Sequence, residues 1–158
     1  MPDQSEVEFR AVPAQRVATI TRRAAAFGSE HIGPVVGPIF PEVEALLGAV
    51  GVGVGPAVAV YAADGSEVLV TAGFEVPDDA PAVAGLDVHV LPELAQAAVA
   101  THRGSMATID RSWAVVMDAA RARGLVLAPA SREIYLTPGD RPQEEWVTEL
   151  VQPVTEAP

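Results

Sequence analysis

The chain has 158 residues, 49% of them hydrophobic and only 5% aromatic, with no cysteine and 10 basic against 21 acidic residues, a formal net charge of −11. That length fits one domain with a core of its own, and the Ala/Val-rich composition excludes a disordered chain. Without cysteine there are no disulfides, thiol nucleophiles or thiolate metal sites; every basic residue is Arg, with no basic patch interleaved with aromatics, which argues against nucleic-acid binding and against anionic membranes.

The acidic opening MPDQSEVEFR lacks the apolar stretch of a secretory signal, and no apolar run is read as long enough to span a bilayer. The expectation is a soluble cytoplasmic protein. The negative charge modestly favours cationic partners, though its simplest role is solubility.

In chain order, Glu6 to Arg10 reads as a short strand and Val17 to Arg23 as a second. A helix follows over Ile39 to Val50, with Pro38 and Pro41 confined to its first turn, where proline is tolerated. AVAVYAADGSEVLVTAGFEV is a hairpin, with Asp64-Gly65 as its turn signal. Residues 78–85 form a Pro/Ala/Asp linker. DVHVLP and AQAAVATH are two further strands. Thr108 is placed as the cap of a helix running to Arg123 and ended by Gly124. Ile109, Trp113, Val116 and Ala120 share one face of it, with Arg111, Asp118 and Arg121 opposite. REIYL and EEWVTELVQPV pair across TPGDRP, which places Tyr135 and Trp146 on neighbouring strands. The tail TEAP is expected to fray.

The order of elements repeats. HIGPVVGPIFPEVEALLGAVGVGVGP and HRGSMATIDRSWAVVMDAARARGLVLAP each run His-x-Gly, helix, Gly and then Pro, which reads as an internal duplication. It places His31 and His102 at equivalent positions. The fold class is α+β: tandem pseudo-symmetric strand–helix–strand–strand modules (about 6–77 and 86–154), two antiparallel sheets backed by helices, and a central inter-module pocket, the usual place for a small molecule.

Few residues carry chemistry. No His-x-x-x-His or His-Glu cluster exists, so no metal site is read, and no cofactor is expected. Ser105 and Ser112 near His102 do not make a nucleophile triad, and there is no Gly-x-Ser-x-Gly elbow. GVGVGP (Gly51 to Pro56) follows a helix and lacks Lys, so it is a connector and not a phosphate loop. Glu75 reads as a second candidate acid or as an exposed strand residue. Glu133 shares a strand face with Tyr135. It is either an exposed carboxylate, a partner of Arg132 or Arg141, or an acid facing a ligand.

PAQRVATI, GPAVAVY, TAGFEVP, HRGSMATIDRSWAVVMDAARARGL, REIYL and EEWVTELVQPV, in this order and spacing, resemble the GyrI-like small-molecule-binding domain, the effector-binding domain of AraC-type and multidrug-sensing MerR-type regulators, over about Glu6 to Val154. The resemblance implies two modules around a pocket in which the glutamate matched by Glu133 meets the positive charge of a ligand. It also implies that the aromatic matched by Trp113 lines that pocket. Tyr135, Trp146, Phe40, Tyr61 and Phe74 are then candidate ligand contacts. Buried without a partner, Glu133 would be costly to ionise; a cation, or donors from Tyr135 or Trp113, would offset that cost.

The resemblance implies three functions. The first is binding of hydrophobic or aromatic small molecules, cations included, for sequestration, resistance or sensing. The second is hydrolysis of electrophilic cyclopropane-type natural products, with Glu133 as general base and Tyr135 and Trp113 positioning the substrate. The third is inhibition of DNA gyrase by protein binding. No helix-turn-helix is read in the chain, so direct DNA binding is not expected, and the oligomeric state is open.

Overall fold

Alternating small apolar residues build antiparallel strands throughout residues 2–158, which the computed structural model describes. Along the chain run β1 (Glu8–Val12), β2 (Gln15–Ala24), α1 (Ser29–Val36), α2 (Ile39–Ala49), β3 (Ala57–Asp64), β4 (Glu67–Glu75), β5 (Asp87–Leu91), β6 (Leu94–Arg103), α3 (Ile109–Ala122), β7 (Leu125–Leu127), β8 (Ala130–Tyr135) and β9 (Val147–Glu156). Short 3-10 turns lie at Gln4–Glu6, Met106–Thr108 and Gln143–Glu145. The class is α+β, as the patterning predicts.

These elements sort into a middle unit, Pro13–Glu93, and a terminal unit in which the segment up to Val12 joins Leu94–Pro158. The leading strands follow this division and not the two sequence halves. β1 pairs with β6, and β5 pairs with β2. Pro13 and Pro92 stand between each leading strand and the next, where a residue without an N–H interrupts the ladder.

In the middle unit the strand order is β3-β4-β2-β5, antiparallel throughout. Ile39, Val43 and Leu47 recur at helical spacing on α2 and are completely buried. Each contributes roughly 1.5–3 kcal/mol of apolar burial. Ser29–Ala49 meets the length and apolarity of a spanning helix, against the expectation from sequence that no run would. The segment is divided between α1 and α2, and one face of α2 is spent on the unit's own core. The hairpin forms as expected, but its loop is Gly65-Ser66, one residue later, because Asp64 still pairs with Glu67. Gly65 takes φ 63°, which suits a glycine at the first loop position of a type II′ turn.

α1 was not expected; Gly33, Pro34, Gly37 and Pro38 lower helix propensity, yet the turns form. The linker packs against its own unit. Ala80 and Val83 are buried, and the Arg16 guanidinium donates to the Ala80 carbonyl from Nη2 at 2.8 Å.

In the terminal unit the order is β1-β6-β9-β8, with β7 pairing to the end of β9. Leu125 lies opposite Glu156 and Val126 opposite Thr155, so the first half of TEAP is paired strand, not frayed tail. α3 buries Ile109, Val116 and Ala120 against Ala98, Ala100 and Leu150. This is the face the spacing predicts. Thr108 occupies the cap position but makes no side-chain cap. Its hydroxyl turns back to the Ser105 carbonyl at 3.1 Å, and Ser105 caps the preceding turn.

The two histidines are not equivalent. His31 is exposed within α1, whereas His102 is 1% exposed on β6. The Gly51 and Gly124 pair of the repeat does hold: both follow a helix, with φ 73° and 72°, the left-handed geometry of a helix stop.

Candidate functional site

The alternation that set Glu133 and Tyr135 on one face of β8 is realised. The Tyr135 hydroxyl donates to Glu133 Oε1 at 2.6 Å. From α3, the Trp113 indole Nε1–H donates to Glu133 Oε2 at 2.7 Å. Glu133 is 4% exposed. Both distances are short for their type, as bonds to an ionised acceptor are.

Each part has a local cause. β8 is the last strand of its sheet in this unit. It pairs with β9 through Arg132↔Val151, Glu133↔Leu150, Ile134↔Glu149 and Tyr135↔Thr148. That ladder fixes the direction of the carboxylate. Trp113 is half-buried and packs against the core that holds α3 down, so its ring serves core and site together. Both Trp113 and Tyr135 retain partial exposure.

The reading of Glu133 as an exposed carboxylate is closed by its burial. Arg141 is paired with Glu145 at 4.0 Å. Arg132 is buried on the opposite strand face, and that burial holds its guanidinium below the ordinary arginine pKa.

The other candidates sit on other elements. Trp146 is not on a strand; it closes the Gln143–Glu145 turn just before β9, and its indole donates to the Arg141 carbonyl at 2.8 Å. Phe40, Tyr61 and Phe74 belong to the middle unit. There Phe40 meets Phe74 edge-on with centroids 6.0 Å apart, and Tyr61 is 5% exposed on β3. Glu75 accepts from the Gln15 amide. It borders a shallow depression of about 440 Å³ with Gly53, Val54, Gly55, Val76 and Pro77, which carries none of the predicted aromatic residues. No three His, Asp or Glu side chains among the described residues group as metal ligands.

One contact was not foreseen. His102 Nδ1 lies 2.7 Å from Ser112 Oγ, and Nε2 lies 2.9 Å from the Ser105 carbonyl. The partner ten residues on could not be read from spacing. Ser112 is completely buried, so it cannot act as a nucleophile on a substrate.

Solved structures share this architecture. The C-terminal domain of EcmrR superposes with a TM-score of 0.76 at 15% identity, covering 96% of this chain and 98% of that one. EcmrR in its DNA complex gives 0.78 at 16% identity over 96% of this chain, which spans 57% of the EcmrR chain. SAV2435 bound to tetraphenylphosphonium gives 0.66 at 13% identity, covering 95% and 94%. A hydrolase encoded by lin2189 from Listeria innocua gives 0.66 at 14%, covering 98% and 93%. At these identities the likeness is one of fold. No curated protein sequence is a significant match. The model of the GyrI-like small molecule binding domain matches residues 5–155, and the chain belongs to that family.

Proposed function

We propose that this chain binds lipophilic small molecules, cations included, at the Trp113–Glu133–Tyr135 cluster, with Glu133 as the fixed counter-charge. One observation carries the reading: a nearly inaccessible carboxylate has each oxygen held by the polar edge of an aromatic side chain. Withdrawing a carboxylate from water costs several kcal/mol. Two donors offset part of that cost, and a cation against the aromatic rings adds charge pairing and cation–π attraction. Tetraphenylphosphonium is the ligand in the SAV2435 structure, which makes it the first probe. Sequestration or sensing of such compounds is the role we assign.

The test is a calorimetric titration of the wild-type chain with tetraphenylphosphonium and with a neutral aromatic compound of similar size. Saturable binding, tighter for the cation, is the expected result. No saturable binding of either compound rejects the proposal.

The Listeria hydrolase of like fold motivates a second reading, with Glu133 as general base toward water. Both oxygens already accept a hydrogen bond from an aromatic side chain, so a water molecule would have to share them. The geometry therefore favours binding. Turnover of a cyclopropane-containing alkylating agent, abolished in Glu133→Gln, would establish the second reading instead.

A further inference from the structure

We infer that His102 and Ser112 are a positioning pair that holds α3 at the rotation which keeps the Trp113 indole on Glu133. The ring of His102 is 1% exposed and Ser112 is fully buried, so neither meets a ligand directly. Their bond ties the end of β6 to the first turns of α3 at 2.7 Å. Ser112 immediately precedes Trp113, whose N–H reaches Glu133.

The chemistry fixes the direction of each bond. The Ser105 carbonyl can only accept, so Nε2 carries the proton. That carbonyl also receives the Thr108 amide at 3.2 Å and the Thr108 hydroxyl at 3.1 Å. In the neutral ring Nδ1 is then the bare nitrogen, and the Ser112 hydroxyl donates to it. One neutral imidazole thus links β6, the turn before α3 and α3 itself, with every polar atom satisfied.

The lever is the helix. A side-chain tip on an α-helix stands about 6 Å from the axis. Turning α3 by about 15° moves such a tip by about 1.5 Å. A shift of that size along the bond would stretch the Trp113–Glu133 distance of 2.7 Å beyond the limit of a hydrogen bond. Apolar packing tolerates small rotations of this kind; a short buried hydrogen bond does not. The inference bears on ligand binding only through the proposed role of Glu133, but its geometric content is testable without ligand.

The experiment follows the indole Nε1–H resonance of Trp113 by ¹H–¹⁵N NMR, assigned with Trp146→Phe. Ser112→Ala removes one hydroxyl from a buried site and adds no bulk. It is expected to move the Trp113 resonance toward its position in Glu133→Gln and to speed its solvent exchange tenfold or more. Tetraphenylphosphonium affinity should fall about three- to tenfold. Val116→Ala, at a fully buried position one turn further along α3, is the control for lost stability and should leave the resonance in place. An unmoved resonance in Ser112→Ala, or an equal shift in Val116→Ala, overturns the inference.

A second measurement needs no variant. Ring ¹⁵N shifts of wild-type His102 should report Nε2–H with a bare Nδ1. An Nδ1–H ring at neutral pH reverses the Ser112 bond and overturns the inference. If the indole responds as expected but wild type binds no tetraphenylphosphonium, the proposed function falls and the positioning role stands.

Discussion

Replacing Trp113 by Phe keeps a ring against the α3 core but removes the N–H that reaches Glu133 Oε2 at 2.7 Å. A hydrogen bond to a charged group contributes about 1.5–3 kcal/mol, and here its loss takes a donor from one oxygen of a buried carboxylate. The Tyr135 hydroxyl on Oε1 remains, so the loss is set near 2 kcal/mol, which lowers Tm by about 4–8 °C for a chain of this size. Part of any such loss would come from the smaller ring. A double-mutant cycle separates the two contributions: Trp113→Phe, Glu133→Gln and the double variant, each unfolded in urea at pH 7 and followed by circular dichroism. The coupling between the two sites should be at least about 1.5 kcal/mol. A coupling below about 0.5 kcal/mol would mean that the indole and carboxylate do not depend on each other, and the site as described would be wrong.

Gly73→Ala should unfold the middle unit or cost it more than about 3 kcal/mol, at the severe end for a single substitution. A Cβ there would lie 1.8 Å from the Ala18 carbonyl oxygen on the neighbouring strand; a variant within about 1 kcal/mol of wild type in urea unfolding would refute the close approach. The Asp3 carboxylate, held by the amide and hydroxyl of Ser5, has its pKa lowered below 3.8. Its contribution to the Gln4–Glu6 turn is therefore present above pH 3.8 and lost as pH falls through the depressed folded value. Carboxyl NMR titration with a midpoint at or above the ordinary value would contradict this.

Strand positions were legible where small apolar residues alternate with polar ones, as in the hairpin of β3 and β4, because period-2 patterning reports a half-buried sheet directly. The α3 face was legible for the same reason at helical spacing. What failed was decided by tertiary context. α1 forms although Gly33 and Pro34 disfavour it. The pairing of β7 with the end of β9 depends on contacts that no local signal announces. The His-x-Gly correspondence misled because β2 ends before Gly28 and His31 falls in α1, whereas His102 remains on β6.

At the site, the shared face of Glu133 and Tyr135 was readable from alternation alone. Trp113 as a donor to the same carboxylate was legible through the family resemblance and not through spacing, since spacing does not give the rotation of a helix against its sheet. Trp146 was misplaced by treating EEWVTEL as continuous strand, when Gln143–Glu145 turns first.

The central claim is that Glu133 is the counter-charge of a ligand site. Tetraphenylphosphonium titrated by calorimetry into wild type and Glu133→Gln, at one fixed salt concentration, tests it most directly. The account predicts that the cation binds the variant at least tenfold more weakly, a difference of about 1.4 kcal/mol, while a neutral aromatic compound binds both alike. Equal affinity of the cation for the two proteins would contradict it.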